Sequence, residues 1–170
     1  HGALRYAQRK GGRKLSTMDL VFWRHAEAID LELVGDDMLR TLSPRGEKQA
    51  QRMAAWLDRQ LPAGTKVYSS PALRAEQTAK ALERKYKVNA ALAPLAGVED
   101  LLNLVNWPHA STCVLVVGHQ PTIGQAIAQL LAMPGQTCVV KKGAVWWLRY
   151  RERHGEVETT VLSVQSPDLL

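Results

Sequence analysis

The sequence predicts an α/β fold built on a mostly parallel sheet. Two runs, residues 19–23 and 112–117, are apolar, rich in β-formers and unalternated, as strands covered on both faces are. Around and between them lie stretches whose apolar residues recur at helical spacing, and Pro or Gly punctuates the joins. Strands that alternate with helices pair in parallel, because a helical crossover returns the chain to the same end of the sheet.

The first strand, Asp19-Leu20-Val21-Phe22-Trp23, stops at Arg24-His25. A polar, acidic loop follows, through Gly35-Asp36-Asp37. Ser43 is placed to cap a helix, with Pro44 in the first turn where its missing N–H costs nothing. Ala50, Met53, Ala54 and Leu57 supply that helix with an apolar stripe, and Pro62 and Gly64 end the segment. Residues 66–70 read as the second strand, and Pro71 opens a second helix carrying Leu73, Thr78, Ala81 and Leu82. Residues 92–95 are expected to add a short strand, and residues 98–105 a helix. The strand over 112–117 is broken by Gly118-His119-Gln120-Pro121, and a helix over 123–131 runs to Pro134-Gly135. Residues 144–150 and 156–164 alternate enough to form a last pair of strands, turning at His154-Gly155.

A chain of 170 residues is one domain's worth, and 46% hydrophobic residues supply its core. No apolar run approaches the roughly 18 residues that span a bilayer, and no apolar stretch follows the basic N-terminus as in a signal peptide. Cys113 and Cys138 are too few for a disulfide framework, and Cys113, heading an apolar run, reads as a buried free thiol. A cytoplasmic location is the expectation. The net charge of +6 is concentrated in Arg5, Arg9, Lys10, Arg13 and Lys14; the other 17 basic residues nearly balance 16 acidic ones. Residues 1–17 are therefore expected to be a flexible basic leader, with the domain over 18–170 and its first strand opening at Met18. No nucleic-acid or membrane partner is expected.

In open α/β sheets ligands bind beyond the carboxyl ends of the strands. Three such ends carry Arg24-His25, Ser69-Ser70 and Gly118-His119. A lone histidine after a strand is more often structural, but Arg24 beside it adds a guanidinium fork suited to phosphate. A neutral imidazole is also a competent nucleophile near neutral pH. His119 repeats the pattern: Gly118 permits a tight turn or a close approach, and a helix after Pro121 would aim free N–H groups at an anion. Arg74, on the first turn after Ser69-Ser70-Pro71, brings a second guanidinium to a neighbouring strand end. There is no Walker A loop and no HExxH zinc motif.

With these residues in view the sequence resembles the histidine phosphatase superfamily, of phosphoglycerate mutase-like fold. Phe22-Trp23-Arg24-His25-Ala26-Glu27-Ala28 is similar to its signature, and the run from Ser69-Ser70-Pro71 through Arg74 to Thr78-Ala79 to its second motif. Val116-Val117-Gly118-His119-Gln120-Pro121 resembles its third motif, and residues 42–50 match the helix opening between the first two. The blocks stand in family order from Met18 nearly to the end. The absence of a large inserted cap, the run Leu73-Arg74-Ala75-Glu76-Gln77-Thr78 and the Ser166-Pro167 ending look like the SixA branch, the protein phosphohistidine phosphatases.

The resemblance implies a three-layer α/β/α fold and a phosphohydrolase acting on a phosphohistidine protein or a small phosphate ester. It implies that His25 becomes phosphorylated while Arg24, Arg74 and His119 hold the phosphoryl oxygens, and it implies no cofactor or metal. A phosphomutase and a non-catalytic phosphate-binding module are the alternatives. Glu27 and Asp30 follow the nucleophile and are candidates to line the pocket. Glu99 is the candidate general acid, against the simpler reading that Glu99 and Asp100 start a helix. Ala26 stands where the family usually has glycine, which strains the backbone if that position needs a positive φ. Lys141 and Lys142 read as a solvated turn.

Overall fold

The computed structural model describes residues 16–170. Most of the expected leader, residues 1–15, lies outside the described residues. Strand β1 (Ser16–Arg24) begins two residues before Met18. It joins β2 (Lys66–Ser69), β3 (Lys87–Val88), β4 (Val114–Gly118), β5 (Val145–Arg153) and β6 (Glu156–Gln165) in one sheet of order β3-β2-β4-β1-β5-β6. The first four strands are parallel; β5 runs antiparallel to β1, and β6 antiparallel to β5.

The crossovers carry α1 (Leu31–Val34), α2 (Pro44–Gln60), α3 (Leu73–Lys80), α4 (Val98–Leu104) and α5 (Thr122–Leu130). Successive residues of a strand point to opposite faces, so β1 feeds two cores at once. Leu20 and Phe22 pack with Leu101 of α4 and with Ile123 and Ile127 of α5. Val21 and Trp23 pack with Met53 and Leu57 of α2 and with Ala75 and Ala79 of α3. Helices thus cover both sides of the sheet in three layers.

The expected cap of α2 is in place: Ser43 Oγ accepts a hydrogen bond from Gly46 N at 3.0 Å. Gly46 is required there, because a Cβ would collide with the carbonyl oxygen of Glu27. That close approach holds the chain two residues beyond His25 against the start of α2. Two segments depart from expectation. The short strand is Lys87–Val88 rather than 92–95, where Ala90–Leu92 forms a 3-10 turn that buries Leu92. Pro94 has no N–H for a ladder, and an exposed two-residue edge strand needs no apolar signal. The loop read as merely polar after β1 holds α1 and a 3-10 turn at Asp37–Leu39, which Asp36 caps through Met38 N at 3.0 Å.

Candidate active site

Strands β2, β4 and β1 are adjacent and parallel, so their carboxyl ends lie side by side. Arg24 pairs with Gly118, and Ser69 with Val117. The ladder runs one residue further on both sides: His25 N donates to Gly118 O at 3.0 Å, and Ser70 N to Val117 O at 3.0 Å. These bonds fix the backbones of His25, Ser70 and His119 before any side chain is placed. His25 and His119 are 7% and 4% exposed, with ring centroids 5.0 Å apart.

His25 Nδ1 lies 2.7 Å from Ala26 O. A carbonyl oxygen only accepts, so Nδ1 carries the proton and Nε2 keeps its lone pair. Ala26 N donates to Thr78 Oγ1 at 3.1 Å, and Thr78 in turn donates to Arg74 O at 2.8 Å, which ties the turn after His25 to α3. Ala26 is buried and is not among the residues of positive φ, so alanine causes no backbone strain there.

The two arginines are held from outside and left open inside. Arg74 donates through Nη1 to Asp37 O at 2.7 Å and through Nη2 to Asp37 Oδ2 at 3.1 Å, with Nη2 also 3.4 Å from His119 Nδ1. Arg24 Nη1 donates to Val140 O at 2.8 Å. The Nε–H groups of Arg24 and Arg74 are buried without a partner among the described residues. An unpaired buried donor costs about 1–3 kcal/mol, and more on a charged group, so two such donors on arginines call for a ligand of opposite charge.

Ser70 Oγ lies 2.7 Å from His119 Nε2 and accepts from Ala72 N at 3.1 Å. With one acceptor site filled, the hydroxyl can either accept from Nε2–H or donate to Nε2. The second arrangement puts the His119 proton on Nδ1, the nitrogen beside Arg74. Arg74 and Nδ1–H are then both donors, and both can close on one anionic oxygen.

Burial lowers the pKa of His25 to about 3, and the positive neighbours Arg74 and Arg24 add to the effect. Burial also lowers His119, to about 4, assisted by Arg74. Both rings are therefore neutral near pH 7. Burial alone would raise the Asp37 carboxyl, but hydrogen bonds from Arg40 and Arg74 outweigh it and hold Asp37 below its ordinary value. The imidazoles make stability depend on pH. As pH falls from about 6.5, the unfolded chain protonates both rings while the folded one resists down to about pH 4, so stability falls on acidification. Two such groups give a slope approaching about 2.7 kcal/mol per pH unit. Denaturant unfolding between pH 7 and pH 5 should show it, and His25→Gln should roughly halve it; a flat profile would contradict buried neutral rings.

Asp37, Ser70 and Thr78 contribute to the site without having been singled out from sequence. The Glu27 carboxylate turns instead toward the start of α2, meeting Ser43 Oγ at 3.2 Å and Arg45 at 3.8 Å. Asp30 is exposed and precedes α1. Glu99 is exposed on the first turn of α4, where Gln129 Nε2 approaches it at 3.5 Å, while Asp100 caps the helix through Gly97 N at 2.9 Å. Two expectations near His119 need correction. A Cβ at Gly118 would make only ordinary contact with Ile123, and its φ is not positive, so no turn or close approach demands glycine. Two of the first N–H groups of α5 are already bonded, Ile123 N to His119 O at 3.0 Å and Gly124 N to Gln120 Oε1 at 2.7 Å, so fewer are open to an anion than expected.

The family model for the histidine phosphatase superfamily (branch 1) matches residues 20–101, a stretch that includes Arg24, His25 and Arg74. The phosphohistidine phosphatase SixA of Escherichia coli is 34% identical over 131 residues, covering 71% of this chain and 77% of that one. An uncharacterised protein of Picosynechococcus sp. is 33% identical over 140 residues, covering 78% and 85%. A solved structure of the protein histidine phosphatase SixA complexed with tungstate superposes with a TM-score of 0.69 at 28% identity, over 89% of this chain and 99% of that one. A phosphoserine phosphatase of Entamoeba histolytica, 19% identical, shares the fold with a TM-score of 0.66 over 90% and 99%. Sequence kinship across most of both chains and the shared fold establish that the chain belongs to the histidine phosphatase superfamily.

Proposed function

We propose that the chain is a phosphatase that removes phosphate from phosphohistidine in a protein, by way of a phosphorylated His25. The observation that carries this reading is the pair of buried, unpartnered Nε–H groups on Arg24 and Arg74 beside a neutral His25 whose Nε2 is free. His25 Nε2 attacks phosphorus as the P–N bond of the substrate breaks, and water then cleaves the new P–N bond to release phosphate. In the transition state negative charge spreads over the non-bridging oxygens, and prepositioned donors from Arg24, Arg74 and His119 stabilise it without reorganising. Asp37 holds Arg74 for this task, and Ser70 holds His119.

The likeness to SixA supports a phosphohistidine substrate. So does the placement of Glu99, which is exposed and turned to Gln129. A phosphoimidazole whose other nitrogen is protonated leaves as neutral imidazole, so it needs less help from a general acid than an alkoxide does. The test is phosphate release from a histidine-containing phosphotransfer domain, phosphorylated with phosphoramidate, and from phosphoserine, whose alkoxide leaving group depends on a general acid. The expected result is a preference for the protein of about 100-fold or more in kcat/KM, the scale of a general-acid contribution. Equal or reversed preference would contradict the protein substrate. Return of phosphate to a second position of a substrate would indicate a mutase, and binding without turnover a phosphate-binding module.

A further inference from the structure

We propose that Leu31, Leu33 and Leu39, with Leu95 and Val139, form an apolar collar around the phosphate pocket on which a folded phosphoprotein docks. This rests on the protein-phosphohistidine reading above and assigns the surface that selects the protein. The five side chains are 47%, 76%, 55%, 100% and 83% exposed in that order. A single exposed leucine is ordinary. These five come from three separate loops, all at the carboxyl end of the parallel strands; two of the loops are bonded to pocket arginines, and the third to Thr122 at the start of α5.

The first loop leaves β1 just after His25. It is closed at its base by Ile29 N donating to Thr41 O at 2.9 Å and by the bridge between Ala28 and Leu42. Asp37, on Arg74, fastens its tip, so Leu31, Leu33 and Leu39 ride on a strap tied to a pocket arginine. Val139 precedes Val140, whose carbonyl accepts from Arg24. Leu95 precedes Ala96, whose carbonyl accepts from Thr122 at 3.0 Å, three residues beyond His119.

The occupant follows from the position. A molecule whose phosphorus reaches His25 Nε2 lies across this collar. Burying a Leu or Val side chain is favourable, but only an apolar partner surface can bury it. A small polar phosphate ester fills the pocket and leaves the collar wet; a folded domain presenting its phosphohistidine from an apolar face covers both. Exposed Lys141 and Lys142, next to Val140, put positive charge on one side of the rim, and exposed Asp30, Glu32 and Asp36 put negative charge on the strap, so the fitting domain carries acids toward the lysines and bases toward the strap.

The test replaces Leu31, Leu33 and Leu39 together by Ser, and separately Leu95 and Val139 by Ser, and measures kcat and KM on the phosphorylated phosphotransfer domain and on p-nitrophenyl phosphate. The expected result for both variants is a KM for the protein raised about 10-fold or more, with kcat and the aryl phosphate constants unchanged. The second variant leaves the strap intact, so a misplaced Arg74 cannot produce its effect. Equal losses on the two substrates, or no loss on either, would overturn the docking surface. If the unaltered chain hydrolyses the aryl phosphate but not the protein, both this inference and the protein-substrate reading fall. If it hydrolyses neither, the phosphatase reading falls, and direct binding of the phosphorylated domain decides the collar: equal affinity for the unaltered chain and both variants would overturn it.

Discussion

Replacing His25 by Ala is expected to lower turnover of every phosphorylated substrate by at least ~10⁴-fold, the scale on which catalytic nucleophiles are missed. The imidazole occupies a buried position where its Nδ1–H is committed to Ala26 O, which leaves Nε2 as the reactive atom. Removing it should not remove the anion site, because Arg24, Arg74 and His119 keep their own supports in Val140, Asp37 and Ser70. Phosphate or tungstate should therefore still bind His25→Ala, within about tenfold of the unaltered chain, by titration calorimetry. Retained hydrolysis would show that water attacks the substrate directly and that His25 is not the nucleophile.

Arg74→Ala is expected to lower kcat/KM by roughly 10³-fold, as the loss of a preorganised cation at a transferring phosphoryl group does. Arg74 is buried, and both its Nη atoms are bonded to Asp37, so its direction is set before substrate arrives. Arg74→Lys should recover little, because an ammonium reproduces neither the fork on Asp37 nor the unpartnered Nε–H. Steady-state kinetics on p-nitrophenyl phosphate checks both variants. A lysine variant near full activity would mean that charge alone matters, and that the orphaned Nε–H groups are not the basis of the site. Asp37→Asn keeps an acceptor for Arg74 and separates the loss of orientation from the loss of charge.

The sheet was legible because its central strands are covered on both faces, which demands unbroken apolar runs such as Leu20–Trp23. The grouping of Arg24, His25, Arg74 and His119 was legible because a parallel sheet gathers the residues at the carboxyl ends of its strands and on the first turns of the helices that follow. Asp37 was not, because its role depends on how the loop folds back onto α3, and an acidic loop residue is ordinarily solvated. Ser70 stood at a strand end in plain view, yet the partner of a hydroxyl depends on distances of tenths of an ångström. The strand expected at 92–95 failed for a related reason: Leu92 is apolar because it plugs the core from a turn, while Lys87–Val88 pair at an exposed edge. The collar leucines carry no periodic signal at all. They read as a loop, and only their exposure beside the pocket marks them.

The most direct test of a phosphorylated histidine intermediate is to mix the chain with a ³²P-labelled phosphohistidine protein, quench in alkali within milliseconds to seconds, and map the label. A label on His25 that survives alkali and is lost in mild acid, and that is absent from His25→Ala, is the result expected. Rapid phosphate release with no label on His25 at any time, or a label on another residue, would contradict it.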